Sequence, residues 1–330
     1  MVPISYKASA PGTMMLLGEH AVLHNKKALV LAIDKRISVT LIPRADKIIS
    51  IHSELGKIQI TLDNLTHLKL DKTFQFVLAT INRFQKQFET GFELSIHSEF
   101  TDRIGFGSSA AVTVATLAVI YQYLNNLSFN FSNHLQDEKV YAFFETAKSI
   151  IQEVQGIGSG ADVAASVYGG IILYQKNAPC ILKRITNLPA MVAVYSGFKT
   201  PTIEVIKTVE SYRQTKEKIY EKLFESMDAC VDDAVVSVEN KDWIRLGELL
   251  NIQQGLMNAL GVGTPLLNKI VDTLNQQPGI FGAKISGSGL GDCIVGIGSQ
   301  TPFLNWEASL VEKGVCDIPV NASLQGVCYG

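Results

Sequence analysis

Cysteine is scarce in this sequence and has no recognisable spacing. The chain of 330 residues has five cysteines, an odd number, and no two of them are separated as C-x-x-C. This pattern indicates neither a disulfide framework nor a zinc knuckle. A reducing compartment such as the cytoplasm fits it best. The five are Cys180, Cys230, Cys293, Cys316 and Cys328.

The sequence also lacks an excess of charge of either sign. Lysine and arginine number 29 against 31 aspartates and glutamates, which gives a formal net charge of −2 and a pI near 6.3. Such a chain has no basic field to hold nucleic acid or an anionic membrane, and we expect neither as a partner. Residues 1–7 lack the basic flank and apolar core of a secretion signal, so we expect a cytoplasmic protein.

No apolar run is long enough to cross a membrane. The clearest candidate, residues 104–124, has glycines and serines at one end, and its apolar part falls short of the roughly 20 residues that a bilayer requires. Apolar residues are instead spread along the chain, which is 47% hydrophobic and 18% charged. This length and composition can bury a large core and predict two close domains, residues 1–185 and 186–330.

A turn rich in glycine leads directly into the uncharged run. Gly105 and Gly107 can take backbone angles that are closed to other residues, and Ser108 or Ser109 can cap the helix that follows. A helix N-terminus directs unpaired N–H groups and the positive end of its dipole at the loop. The turn is therefore predicted to hold a phosphate.

Two other interpretations of this turn stay open. Gly105-x-Gly107-x-x-Ala110 also matches the dinucleotide fingerprint, which requires a second strand and an acidic residue about 20 positions later. Residues 125–130, Asn-Asn-Leu-Ser-Phe-Asn, supply neither. A purely structural turn before a core helix is the simplest alternative, and a single glycine loop is weak evidence against it.

Polar residues in unusual places give further candidates. Glu19 and His20 follow an apolar strand and, taken alone, are most simply a solvated turn. Asp162 lies among glycines before a short helix, where it either caps the helix or accepts a proton from a substrate hydroxyl. The glycines of 282–291 exceed the needs of a hairpin and suggest close approach of backbone to a ligand.

Hydrophobic periodicity predicts an α+β fold rather than a regular βαβ repeat. Alternation of apolar and polar residues predicts strands, and a 3.6-residue apolar period predicts helices. The two kinds of element form packed layers. The predicted strands are 36–42, 48–51, 57–62, 92–97, 170–174, 191–195 and 293–297, and the predicted helices include 73–88, 138–155, 203–224 and 227–258.

Three ordered motifs carry a resemblance to the GHMP kinases. Ala10-Pro-Gly with Gly18-Glu-His-Ala-Val-Leu23, then Gly105-Phe-Gly-Ser-Ser-Ala-Ala111, then Lys284-Ile-Ser-Gly-Ser-Gly-Leu-Gly-Asp-Cys293 resemble that superfamily over almost the whole chain. The resemblance implies a two-lobe α+β fold, with an N-terminal lobe of residues 1–185 and a C-terminal lobe of residues 186–330. ATP and an acceptor alcohol would bind in the cleft between the lobes.

The resemblance also implies roles for single residues. Asp162 would be the catalytic carboxylate, and magnesium would be held by Ser109 and Glu153. The acceptor would contact Glu19, His20, Asp162, Ser286 and Gly287. ATP would be bound by Gly105, Phe106, Gly107, Ser108, Ser109 and Ala110.

Within the superfamily the first motif is most similar to mevalonate kinases, which implies mevalonate as the acceptor. Two features resemble phosphomevalonate kinases instead, namely residues 158–165 and the Gly-Asp-Cys that ends the third motif. A non-catalytic relative that binds a small molecule is a further alternative, and a homodimer is one assembly that the sequence allows.

One position departs from the mevalonate kinase pattern. Thr13 stands where these enzymes usually carry a lysine directly after Ala-Pro-Gly. A neutral threonine cannot supply that positive charge. Either magnesium and the loop dipole act alone, or another cation such as Lys7 takes its place.

Overall fold

In the part of the chain that the structure describes, the strands form two β-sheets, and helices pack against each sheet. The computed structural model of the protein describes residues 4–67, 72–101, 104–125, 135, 137–177, 179–299 and 306–330. Most of the stretch 125–130, which bears on the dinucleotide alternative, lies outside the described residues.

The described residues of the first half of the chain form most of the strands and the helices α1 to α4. In order they are β1 (Tyr6–Leu17), β2 (Lys27–Pro43), β3 (Ile48–Ser53), β4 (Gly56–Thr61), α1 (Gln75–Arg83), β5 (Phe92–Ser98), α2 (Ser108–Asn125), α3 (Glu138–Gln155), α4 (Ala161–Tyr168), β6 (Ile171–Gln175) and β7 (Ile181–Ile185).

The second half is mainly helical. Its elements are β8 (Met191–Tyr195), α5 (Thr202–Thr215), α6 (Glu217–Glu239), α7 (Trp243–Ala259), α8 (Pro265–Asn275), β9 (Ile280–Ser286), β10 (Cys293–Gly298), α9 (Ala308–Val311), β11 (Cys316–Ile318) and β12 (Cys328–Tyr329).

The first sheet is organised around β2. In the described part of the chain its strand order is β12-β1-β2-β5-β3-β4, while β6 pairs with β2 and with β7. The pairs are antiparallel except β3 with β5. Ile37, Val39 and Leu41 of β2 are buried at alternate positions, as a sheet with one face on a core requires. The predicted α+β class is confirmed.

Helix α2 is buried on most sides, which explains why its sequence carries no charge. Val114, Leu117 and Ile120 are inaccessible to solvent, and so is Thr113. The Thr113 hydroxyl donates a hydrogen bond to the Ser109 carbonyl at 2.8 Å, so its burial leaves no unpaired donor. Among the described residues, no helix combines the length and the apolar character needed to span a membrane.

The second sheet has the order β11-β8-β10-β9, and a shared core joins it to the first. Met14 and Leu16 of β1 belong to the same buried cluster as Val295 of β10 and Val231 of α6. The carboxyl end of the chain returns to the first sheet, where β12 pairs with β1. The two sheets therefore share a packed core, and the last strand of the chain is fixed to the first.

The helix boundaries predicted for 203–224 and 227–258 are wrong. Helix α6 runs through the predicted break. Phe224 and Met227, three residues apart, both face the core, so the apolar stripe continues across that point. The first interruption comes earlier, at Lys216 between α5 and α6, and a second one at residues 240–242, between α6 and α7, divides the predicted helix 227–258.

Two helix starts in this half carry favourable capping residues. Asp242 accepts a hydrogen bond from the backbone N–H of Arg245 at 3.0 Å, and Thr264 accepts one from Leu267 at 3.2 Å. Pro265 takes the first helical position of α8, where its missing N–H costs nothing. These local signals mark α8, a helix that the periodicity did not predict.

Candidate active site

Segments that are far apart in sequence meet around a cleft of about 1550 Å³. It is lined by β1 and the turn after it, the loop before α2, the start of α4 and the loop between β8 and α5. The segment that carries the glycines of 282–291, called the third glycine cluster below, completes the lining. The predicted site residues that the cleft brings together are Glu19, His20, Gly105, Gly107, Ser108, Ser109, Ala110, Asp162, Ser286 and Gly287.

Residues 105–110 form the loop that the sequence predicts to hold a phosphate, called the phosphate loop below, and their conformation explains both glycines. Gly105 and Gly107 have φ of 78° and 61°, angles that favour glycine. A Cβ on Gly107 would lie 2.1 Å from the Thr13 Oγ1. Helix α2 begins at Ser108, so Gly107 rather than either serine precedes it. The serines lie in the first turn, where backbone N–H groups lack helical partners.

Phe106 differs from its neighbours in the phosphate loop. Its side chain is buried and meets Phe100 edge-on, with ring centroids 5.9 Å apart. Its carbonyl accepts a hydrogen bond from the Thr13 N–H at 3.0 Å. The side chain therefore anchors the loop in the core. Phe106 is not among the described residues that line the cleft, so its predicted contact with ATP gains no support from this geometry.

Asp162 lies in the first turn of α4 and faces β1. Its Oδ1 accepts a hydrogen bond from the Thr13 hydroxyl at 2.8 Å, and the residue before the helix is Gly160. Burial raises the pKa of Asp162 above its ordinary value, while the Thr13 hydrogen bond and the Lys199 ammonium oppose the rise. A carboxylate with a raised pKa is better suited to accept a proton.

Glu19 forms a buried ion pair with Lys284 of β9. Both side chains are almost completely shielded from solvent, and the Gln253 amide donates to the second Glu19 oxygen at 3.2 Å. Burial lowers the pKa of Lys284, and Glu19 opposes that shift. Nearby, the Ser286 hydroxyl donates to the Met15 carbonyl at 3.0 Å. These contacts fasten the first motif to the third.

His20 strengthens the same junction. Its Nε2 lies 2.8 Å from the Ser288 carbonyl oxygen. Because a carbonyl oxygen only accepts hydrogen bonds, this Nε2 carries a proton and donates it. Burial lowers the pKa of His20, although the bond to Ser288 opposes the shift. A neutral ring with its proton on Nε2 satisfies both observations and leaves Nδ1 as an acceptor. Glu19 and His20 are 2% and 5% exposed, so the solvated-turn interpretation does not describe them.

Asp292 and Lys199 form a cluster that the motifs did not predict. Asp292 is buried with a left-handed φ of 68°, which is costly for a residue other than glycine. Its Oδ1 lies 4.0 Å from the Lys199 Nζ and has no hydrogen-bond partner among the residues that the structure describes. Burial raises the pKa of Asp292 to about 6, Lys199 opposes the rise and Asp162 adds to it. Lys199 occurs outside the three motifs, so no sequence signal pointed to it.

Glu153 and Lys7 are not brought to the cleft. The Glu153 carboxylate is exposed on α3 and pairs with Arg83. Lys7 is exposed on β1 in register with Thr40, about 20 Å from Thr13 at about 3.3 Å per residue of strand. The predicted magnesium role of Glu153 and the suggested substitution by Lys7 gain no support from this geometry.

The described part of the chain contains no group of three or more histidine, cysteine or acidic side chains placed to hold a metal ion. A divalent cation can also be held with few protein ligands, by the oxygens of a bound molecule and by water. Magnesium commonly binds in this way, with one or two protein ligands and the oxygens of substrate phosphates.

Comparison with known proteins finds two family profiles that match this chain. The sequence profile of the GHMP kinases N terminal domain matches residues 75–170, and that of the GHMP kinases C terminal matches residues 234–303. A mevalonate kinase of Archaeoglobus fulgidus is 33% identical over 293 residues, which cover 88% of this chain and 91% of that protein. The chain belongs to the GHMP kinase family. It is an ATP-dependent kinase.

Further relatives of this GHMP kinase extend the agreement along the chain. A mevalonate kinase of Pyrococcus furiosus is 31% identical, with 87% of each chain covered. The crystal structure of the Methanococcus jannaschii mevalonate kinase superposes with a TM-score of 0.76 at 22% identity, covering 97% of this chain and 98% of the other. At that identity the superposition shows the shared fold alone.

Proposed function

We propose that this GHMP kinase transfers the γ-phosphoryl group of ATP to the 5-hydroxyl of mevalonate, giving 5-phosphomevalonate and ADP in the mevalonate route to isoprenoids. The main support is the position of Asp162 beside the phosphate loop, in a cleft whose acceptor side has few cations. The curated relatives described above are mevalonate kinases that match most of this chain. A cytoplasmic location and a homodimer stay predictions.

The nucleotide phosphates would bind on the phosphate loop. The free N–H groups in the first turn of α2 supply donors, and the helix dipole favours negative charge there. We propose that magnesium accompanies ATP and that the Ser109 hydroxyl, which lines the cleft, is its protein ligand. When bound, the ion would neutralise charge on the β- and γ-phosphates.

Asp162 would orient the acceptor hydroxyl and take its proton. The Thr13 hydroxyl fixes one carboxylate oxygen at 2.8 Å, which leaves the other available to the acceptor. On the acceptor side, the neutral His20 ring can accept a hydrogen bond from a substrate hydroxyl through Nδ1. A positioned carboxylate of this kind has no use in a protein that only binds its ligand, which disfavours a non-catalytic relative.

The cations around the cleft favour mevalonate over 5-phosphomevalonate. Among the described residues that line it, the lysines are Lys72 and Lys199, and there is no arginine. Lys26 and Lys27 are occupied elsewhere, 3.0 Å from a carboxylate oxygen of Glu221 and 2.5 Å from one of Asp232. An acceptor that already carries a phosphate would need two or more additional cations, because an unpaired dianion is costly to desolvate.

ADP release with each acceptor tests the proposal. We expect kcat/KM for mevalonate to exceed that for 5-phosphomevalonate at least about tenfold, a difference of roughly 1.4 kcal/mol in transition-state stabilisation. His20→Ala should raise KM for mevalonate more than KM for ATP, whereas His52→Ala, on β3, serves as the control and should change neither. A higher kcat/KM for 5-phosphomevalonate would replace mevalonate kinase by phosphomevalonate kinase.

A further inference from the structure

The cleft lacks a positive charge at the position where the first motif would usually provide one. Thr13 stands there and donates its hydroxyl to Asp162. The transition state of phosphoryl transfer spreads negative charge over the equatorial oxygens, and kinases meet that charge with fixed cations. The inference below rests on the proposed phosphoryl transfer and asks which side chain of this protein supplies the cation.

The loop that carries Lys199 is fastened to the third glycine cluster by backbone contacts. The Ser196 N–H donates to the Asp292 carbonyl at 3.0 Å, and the Asp292 N–H donates to the Phe198 carbonyl at 2.9 Å. A Cβ on Gly291 would lie 3.2 Å from the Lys199 Cα, so glycine permits the close approach. Lys199 is therefore held at a defined position on the cleft.

Asp292 directs this lysine toward the phosphate loop. A Cβ on Gly105 would lie 2.9 Å from the Asp292 Oδ1, so this carboxylate packs directly against the loop. The same oxygen is the one 4.0 Å from the Lys199 Nζ. A buried carboxylate in a strained conformation, with a cation as its neighbour, is a costly arrangement that stability does not require.

The positive charge of Lys199 also reaches Asp162. This charge opposes the rise in the pKa of Asp162 and of Asp292. Gly107 of the phosphate loop lies beside Asp162, since a Cβ there would be 3.6 Å from the Asp162 Cβ. One ammonium group is thus within electrostatic reach of both the proton acceptor and the phosphate loop.

We propose that Lys199 is the catalytic cation that meets the transferred phosphoryl group, in place of the lysine that Thr13 replaces, and that Asp292 is its positioning residue. The acceptor oxygen forms a bond to the γ-phosphorus, and the bond from that phosphorus to the bridging oxygen breaks with its electron pair staying on ADP. The hydroxyl proton passes to Asp162. Lys199 transfers no proton and lowers the energy of the charge on the phosphoryl oxygens.

Substitution of Lys199 tests this assignment in two assays. Lys199→Met should lower kcat about 10²- to 10³-fold, as expected for loss of one preorganised charge, and Lys199→Arg should restore part of the activity. In binding experiments that need no acceptor, Lys199→Met should weaken the non-hydrolysable ATP analogue AMPPNP several-fold and leave ADP unchanged, because only the former carries a γ-phosphate. Lys207→Met, an exposed lysine on α5, is the matched control and should change neither.

Asp292→Asn separates positioning from catalysis. This variant keeps Lys199 and removes its partner, so we expect a smaller loss of kcat than with Lys199→Met and no change in ADP affinity.

Several outcomes would overturn the proposal. Unchanged kcat and an unchanged ratio of AMPPNP to ADP affinity in Lys199→Met would do so, and so would a rise in KM for mevalonate alone, which would assign Lys199 to the acceptor carboxylate. If the wild-type protein releases no ADP with mevalonate, the proposed acceptor fails, while the two nucleotides still decide the role of Lys199.

Discussion

The buried pair of Glu19 and Lys284 makes a sharp prediction about stability. Lys284→Met keeps most of the side-chain volume and removes the charge that compensates Glu19. The Glu19 side chain is 2% exposed and keeps only the hydrogen bond from Gln253 at 3.2 Å. Loss of one partner from a buried pair costs about 3–5 kcal/mol, because the other charge stays desolvated.

The expected change in melting temperature follows from chain length. The entropy of unfolding is about 2.1 cal/mol/K per residue, or roughly 0.7 kcal/mol/K for this chain. Lys284→Met should therefore lower Tm by about 4–7 °C in scanning calorimetry. The control is Lys269→Met, which removes one partner of an exposed pair with Glu307 and should lower Tm by less than about 1.5 °C.

A double-mutant cycle completes the test. Glu19→Gln together with Lys284→Met leaves no buried charge, so the double variant should regain at least about half of the stability that Lys284→Met loses. The reasoning is refuted if Lys284→Met has a Tm no lower than that of Lys269→Met. It is also refuted if the losses of stability from the two substitutions at the buried pair are additive. In either case the pair would not fasten the first motif to the third.

Three further predictions concern the cleft. Asp162→Asn should lower kcat about 10²-fold or more with little change in ATP affinity, and a parallel collapse of ATP binding by titration calorimetry would make Asp162 a structural residue. Gly107→Ala should weaken AMPPNP binding at least about tenfold, because its Cβ would meet the Thr13 Oγ1 at 2.1 Å. The control is Gly156→Ala, since Gly156 has a similar φ of 72° and open space around it. Equal losses of AMPPNP affinity in the two variants would contradict the assignment of the loop. Asp292→Asn should stabilise the protein by about 1–3 kcal/mol at pH 8. Burial raises the folded pKa of this acid from 3.8 to about 6, so the cost of its charge appears as pH rises through that window. The gain should vanish near pH 4, and a gain that does not depend on pH in thermal melts would exclude this origin.

Much of the fold could be predicted from the sequence, because its signals are local. Alternating burial at residues 37–41 of β2 follows from side-chain periodicity, and helix α2 follows from an uncharged apolar run after a glycine turn. The phosphate loop was predicted because only glycine takes the backbone angles of Gly105 and Gly107 at low cost. The break between the long helices was predicted at the wrong place, because no glycine or proline near Lys216 marks it in the sequence.

The site was only partly predictable, since spacing along a chain does not say which way a side chain points. The family resemblance implies that Glu153 holds magnesium together with Ser109, yet α3 turns the Glu153 carboxylate outward to Arg83. Lys199 belongs to no motif. Only the fold brings the loop after β8, and with it Lys199, against Asp292.

By itself the sequence determined the local conformations, namely glycine turns, helix starts and strand periodicity, because these depend on the sterics and hydrogen bonding of neighbouring residues. Tertiary structure decided which charges meet. Glu19 and Lys284 pair across 265 positions, and their attraction exists only after two sheets have packed and excluded water between them. The same packing places Lys199, Asp292 and Asp162 around the phosphate loop, and so it decided the electrostatics of the cleft.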